Sequence, residues 1–421
     1  MSALSNESFS QFMWVEAALP FSAIAQRFII GGILSMKKMN IKTLLLCPGI
    51  VCLLVLCFIG SKKNYAAAPP SISPELLAAQ QAELLLADMT LHEKICQMIF
   101  AAPEQICGSS PITKADEAVA KALTDYPVGG LLYSSPNLIS QAQTASMIQE
   151  TQAMSKIPLF IAADEEGGTV NRLMKKLGTT YIHSMYQYKD EGTDTAYQNA
   201  CTIASDMSAL GFNLDFAPVA DVWSNPQNKV IGKRAYSDDY TQASELVSAA
   251  VSGFHDGGVL CTLKHFPGHG DTVEDSHKAS AHVYKTKEEL YAKELQPFLA
   301  GITANADFVM MGHLNVDCLD SQNPASLSPI IIQETLRHDL GFDGIVITDA
   351  LQMSAIANNY TPEEVAIKAV IAGNDMLLEP VDIAKTISAL ENAVSQGTIP
   401  EERINESVRK ILIQKITWMG K

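Results

Sequence analysis

Short unbroken apolar runs recur along the chain, at 129–133, 159–163, 214–219, 260–263, 308–311, 345–348 and 376–378. Each gives way to polar or glycine-rich residues and then to a stretch with helical spacing, such as 288–302 or 362–372. Runs without in-out alternation are the pattern of strands buried on both faces, and helices between them imply parallel connections. Seven or eight such units predict an α/β fold of one (β/α)8 barrel rather than an open doubly wound sheet. Upstream, 74–89 has helical spacing after a Ser-Pro start. Thr90-Leu91-His92-Glu93 then opens a second helix with a capping-box pattern.

Polar residues interrupt this pattern at equivalent places. Asp164-Glu165-Glu166-Gly167-Gly168, Lys264-His265, Gly312-His313 and Thr348-Asp349 all stand at the carboxyl ends of apolar runs. In a barrel those ends converge on one face, where active sites are built from several βα loops. Core packing alone would place apolar residues there.

The amino-terminal part, 1–68, follows another pattern. Residues 43–60 carry no charge and follow Lys37, Lys38 and Lys42, a basic flank and apolar stretch that mark an export signal. Ala66-Ala67-Ala68 offers a cleavage site, and the same stretch is long enough to serve as an uncleaved membrane anchor. Both forms stay open, and either places the body outside the cytoplasm, secreted or held at the outer face of the cytoplasmic membrane. A basic region reaching back to Met1 is unusually long, so translation is expected to begin at Met36 or Met39. The catalytic body is then 73–421.

Composition excludes several classes. With 47% hydrophobic and 18% charged residues, the chain can bury a large core. Its formal charge of −16 becomes 24 − 44 = −20 without residues 1–68, which hold six basic and two acidic side chains. That balance disfavours nucleic acid and anionic membrane surfaces as partners. Three of the cysteines (Cys47, Cys52 and Cys57) lie in the apolar segment. The others, Cys96, Cys107, Cys201, Cys261 and Cys318, are scattered and suggest no disulfide framework.

The densest chemistry is Lys264-His265-Phe266-Pro267-Gly268-His269-Gly270-Asp271-Thr272, continuing to Asp275-Ser276-His277. Gly268 and Gly270 beside Pro267 predict a shaped loop. The histidine spacing matches no zinc signature, so neither metal nor cofactor is expected. Asp275 could hold one nitrogen of His277 and leave the other for proton transfer. Asp349, ending the run 345–348, reads equally as a helix N-cap or as a nucleophile for an anomeric carbon.

The motif KHFPGHGDT with DSH, together with DEEGG, GKRAYSDD and ITDALQM, resembles bacterial β-N-acetylglucosaminidases (β-N-acetylhexosaminidases) of glycoside hydrolase family 3, NagZ type. The resemblance spans about 76–415. It implies a retaining, metal-free reaction with Asp349 as nucleophile and His277 as acid/base, oriented by Asp275. Asp164, Arg172, Arg234, Lys264 and His265 would bind the terminal sugar, and alanine at Lys264 or Arg234 would weaken binding without unfolding the barrel. Some family members carry a second αβα domain after the barrel, which is not expected here. The implied substrate is an amino-sugar oligosaccharide, from peptidoglycan fragments or chitooligosaccharides, with no obligate protein partner. A phosphorylase or β-glucosidase of the same family, and a sugar-binding protein without catalysis, are the competing readings.

Overall fold

The computed structural model of the protein describes residues 73–109, 111–273 and 281–419. The export segment, Asp275 and His277 lie outside them. Eight strands form a parallel ring: β1 (Ile99–Ala101), β2 (Gly130–Leu132), β3 (Phe160–Ala163), β4 (Leu214–Asp215), β5 (Leu260–Phe266), β7 (Phe308–Met311), β9 (Ile345–Thr348) and β10 (Leu377–Leu378). Adjacent members pair in the order β10-β1-β2-β3-β4-β5-β7-β9, and a parallel bridge between Ile347 and Met376 joins the two ends. The expected barrel is therefore present. Two further short strands, β6 (Ala281–His282) and β8 (Leu314–Asn315), pair with each other outside the ring.

Helices alternate with the strands as the spacing predicts. Helix α1 (Pro74–Asp88) starts at Ser73, whose side chain accepts from the Leu76 N–H. In α2 (Leu91–Gln97), Thr90 and Glu93 exchange the two bonds of a capping box. Thr361 does the same for α3 (Pro362–Ala372), the segment expected from sequence. The expected helix 288–302 is broken instead. Leu290–Glu294 winds as a π-helix, and a new α-helix runs from Gln296 to Thr303 with Pro297 in its first turn. Proline donates no N–H, so it fits a first turn and interrupts an interior.

Strand β1 was not among the apolar runs. It is three residues long and follows Gln97, the last residue of α2, through Met98 alone, with no glycine or proline to mark the change from helix to strand. Strand β4 is shorter than its run: past Asp215 only a bridge from Val219 to Lys264 continues the pairing, and Pro218 has no N–H to give. Strand β5 is longer, so Lys264 and His265 lie within a strand. Its register against β7 shifts between Leu263 and Phe266, an irregularity that re-aims those two side chains.

The barrel interior is filled by large side chains, with Phe100 against Phe216 (ring centroids 5.2 Å apart) and Phe160 against Phe308 (5.3 Å). The final helix, α4 (Glu401–Met419), packs at the amino ends of the strands. There Gln414 donates to Asp307, just before β7, and Lys415 donates to Gln97 at 2.8 Å. Among the described residues no helix is long and apolar enough to cross a membrane.

Candidate active site

At the carboxyl ends of the strands opens a cavity of ≈ 450 Å³. Cavities of this size hold small-molecule ligands. Six of the residues singled out from sequence line it: Asp164, Arg172, Arg234, Lys264, His265 and Asp349. They come from positions as much as 349 − 164 = 185 residues apart, and the parallel topology is what gathers them.

The segment after β3 divides its three carboxylates by backbone alternation. Glu165 points away and accepts from the N–H groups of Arg172, Leu173 (2.8 Å) and Met174 (3.0 Å), capping the short helix Leu173–Leu177 and fixing the position of Arg172. Asp164 and Glu166 point inward together. Lys264 Nζ lies 3.0 Å from Asp164 and 2.6 Å from Glu166, and Arg234 grips Glu166 through Nε and Nη2, both at 2.8 Å. Glu166 is fully enclosed. Burial alone would raise its carboxyl, but Arg234 and Lys264 outweigh that and hold it down at about 2. Burial likewise opposes the Lys264 charge, while Glu166 and Asp164 push its pKa above the ordinary value.

Exposure separates the roles of these groups. Asp164 and Arg172 keep 24% and 32% of their side chains open, against 14% for Arg234 and 3% for Lys264. Arg234 spends three of its five N–H donors on Glu166 and on the Val230 carbonyl. Its guanidinium is therefore as much a structural partner as a sugar donor. This revises the expectation that Arg234→Ala spares the fold. The substitution would leave the buried Glu166 with Lys264 as its remaining cation, a loss of roughly 3–5 kcal/mol. Arg172→Ala, at a half-open pair 3.4 Å from Asp164, should lose less than about 1 kcal/mol and act on KM instead. Urea midpoints of the two variants check this; an unchanged midpoint for Arg234→Ala would contradict the buried pair.

His265 is held from behind by Asp221, which follows β4. Its Nδ1 lies 2.7 Å from Asp221 Oδ2, and its backbone N–H donates to the same carboxylate. Its Nε2 faces Arg234 Nη2 at 3.5 Å. Burial opposes the Asp221 charge, but His265 outweighs it and keeps this carboxyl below its usual range. The His269 N–H also donates to Asp221 (2.7 Å), while burial and then His265 push the His269 imidazole down to about 4, so it is neutral at pH 7. Both glycines of this loop are required, for different reasons. Gly268 adopts φ +124, as expected, whereas a Cβ on Gly270 would meet the Val222 carbonyl oxygen at 1.6 Å. Close approach, rather than unusual φ, is what Gly270 supplies.

Asp349 follows β9, its backbone N–H donating to Met311 O and its Oδ1 accepting from the Ala350 N–H (2.8 Å). His313, after β7, braces the same turn: Nε2 lies 3.1 Å from the Ala350 carbonyl and Nδ1 2.8 Å from Ser326. Asp349 caps no helix, since the next one is Ser354–Ala357 with Met353 at its cap. Of the two readings left open by the sequence, the structural one loses its basis.

Three site residues escaped sequence reasoning. Glu166 lay inside a motif read only for Asp164, although period-two alternation puts 164 and 166 on one side. Asp221 follows the run 214–219 as the other polar insertions follow theirs. Glu379, directly after β10, lines the same cavity and follows the same rule. Among the described residues, His255, Cys261 and Asp307 bring ligand atoms within 4.8 Å of one another, at the amino ends of β5 and β7, away from the cavity. In the cavity, Asp164 and Glu166 are partnered by Lys264 and Arg234, which suits them to hydroxyl recognition rather than to holding a metal ion.

Comparison with known proteins agrees with this geometry. Residues 90–413 match the family described as Glycosyl hydrolase family 3 N terminal domain. A protein named Beta-hexosaminidase A from Pseudoalteromonas piscicida is 32% identical over 338 residues, 73% of this chain and 56% of its own length. A Beta-hexosaminidase from Idiomarina loihiensis is 35% identical over 292 residues, covering 68% of this chain and 86% of that protein. The structure of a glycoside hydrolase family 3 β-N-acetylglucosaminidase from Paenibacillus sp. str. FPU-7 superposes with a TM-score of 0.74 at 38% identity, covering 79% of this chain and 63% of that one. The chain thus spans little more than half of the first of these relatives.

Proposed function

The chain belongs to glycosyl hydrolase family 3, and from that footing we propose that it is an exo-acting, retaining β-N-acetylhexosaminidase removing terminal N-acetylglucosamine. One observation supports this most. Asp349 shares a cavity of ≈ 450 Å³ with three further carboxylates, a histidine and three cations suited to sugar hydroxyls. In the proposed reaction the sugar is held by Asp164, Arg172 and the inner cations. The Asp349 carboxylate attacks the anomeric carbon as the aglycone oxygen leaves with a proton from His277, positioned by Asp275. Water then gives its proton to His277 and displaces Asp349, so two inversions retain configuration. Lys264 and Arg234 are locked by Glu166 before substrate arrives, so little reorganisation accompanies binding.

The substrate class is amino-sugar oligosaccharides from peptidoglycan or chitin. Export through 43–60, with the body secreted or tethered at the outer face of the cytoplasmic membrane, completes the proposal. The test is steady-state turnover of aryl β-N-acetylglucosaminide beside aryl β-glucoside, with and without phosphate. Preference for the acetamido sugar, with free sugar as product in both buffers, is the expected result. Preference for glucose, or a sugar phosphate as product, would select the β-glucosidase or phosphorylase instead.

A further inference from the structure

Glu379 is out of keeping with its surroundings. Its backbone lies at φ +44, a left-handed conformation that is costly for a residue carrying a side chain. Its carboxyl faces the cavity, and among the described residues no cation pairs with it. The hydrogen bond it receives comes from Gln352 Nε2 to Oε2 at 3.0 Å. The charged groups that act on it most are acidic: Asp164 from the end of β3, Asp349 from the end of β9, and Glu104 from the short helix after β1. Burial first, then these carboxylates, outweigh the Gln352 bond and hold Glu379 at about 7. Strained backbone and an unpaired, half-buried acid both oppose folding. Positions that disfavour the fold in two independent ways concentrate where a ligand is handled.

Resting on the reading of this cavity as a β-N-acetylglucosaminide site, we propose that Glu379 is a specificity-determining sugar ligand, its carboxyl hydrogen-bonding one hydroxyl of the ring held between Asp164 and Asp349. In the protonated form it donates to that hydroxyl, and in the ionised form it accepts from it. It selects sugars that carry the hydroxyl over analogues that lack it.

The experiment compares wild type, Glu379→Leu and Glu379→Gln on aryl β-N-acetylglucosaminide and on its 3-, 4- and 6-deoxy analogues. Loss of one hydrogen bond to an ionisable group is worth roughly 10- to 100-fold in kcat/KM. Glu379→Leu should lose that factor on the parent substrate, and lose nothing further on one deoxy analogue, the one lacking the partner hydroxyl. Glu379→Gln, which keeps hydrogen bonding, should stay within about 5-fold of wild type. Stability gives the second readout. Because the folded carboxyl is raised above its ordinary 4.5, its ionisation penalises the fold as pH rises from there through about 7. Glu379→Gln should therefore raise Tm by roughly 2–5 °C at pH 8 and by much less at pH 5. A merely structural Glu379 would lower Tm on substitution. If Glu379→Leu loses equally on all four substrates, loses nothing, or fails to fold, the assignment is overturned. Wild type inactive on the parent sugar would instead overturn the reading of the site itself.

Discussion

Asp349→Asn should lose roughly 10⁴- to 10⁶-fold in kcat, on aryl glycosides and natural disaccharides alike. Without the carboxylate there is nothing to attack the anomeric carbon, and leaving-group quality cannot compensate. The fold should survive the change. Asparagine Oδ1 can still accept from the Ala350 N–H, and the Asp349 N–H to Met311 bond belongs to the backbone. Removing one of the carboxylates near Glu379 also relieves repulsion, so the thermal midpoint should be unchanged or higher. Normal circular dichroism with full activity would show that another group begins the reaction. Unfolding of the variant would mean that Asp349 is structural.

His277→Ala should separate two classes of substrate. Glycosylation of Asp349 needs an acid only where the leaving oxygen is a poor leaving group, as a sugar alkoxide is. General acid help is typically worth about 10²- to 10⁴-fold, so natural disaccharides should be slowed by that factor more than aryl glycosides in the first step. The second step still needs a base for water. On aryl substrates the variant should therefore accumulate glycosyl enzyme, and azide, which needs no deprotonation, should intercept it as a β-glycosyl azide. Equal loss on both substrates, or no acceleration by azide, would remove His277 from the acid/base role and make Asp275 or Glu274 the residue to test.

How far the sequence was legible depends on which physical signal each feature leaves. Strands buried on both faces announce themselves as unbroken apolar runs, so β7 and β9 match their runs residue for residue. Strand β1 is three residues long and starts one residue after α2, with no glycine or proline between them to separate strand from helix. Helix starts were readable at Ser73 and Thr90, because a capping side chain is a local requirement. The break at Leu290–Glu294 was not, since a π-turn leaves the apolar spacing almost intact. In the cavity, single charged residues at strand ends were visible one at a time. What could not be read was which of them neutralise each other. Arg234 looks like a sugar ligand in sequence, but Glu166, 68 positions away, takes two of its five N–H donors. The same holds for Asp221 behind His265, a pairing across 44 positions that only the β4–β5 adjacency creates. Glu379 shows in sequence as one more polar residue after an apolar run, but its left-handed backbone and acidic neighbours appear only in three dimensions.

The central claim, a covalent sugar–Asp349 intermediate, is tested most directly by mass spectrometry of His277→Ala quenched during turnover of aryl β-N-acetylglucosaminide. The intact protein should gain the mass of one N-acetylhexosaminyl residue, lost again on adding azide, and peptide mapping should place it on Asp349. No adduct during turnover, or an adduct carried by any other residue, would contradict the mechanism.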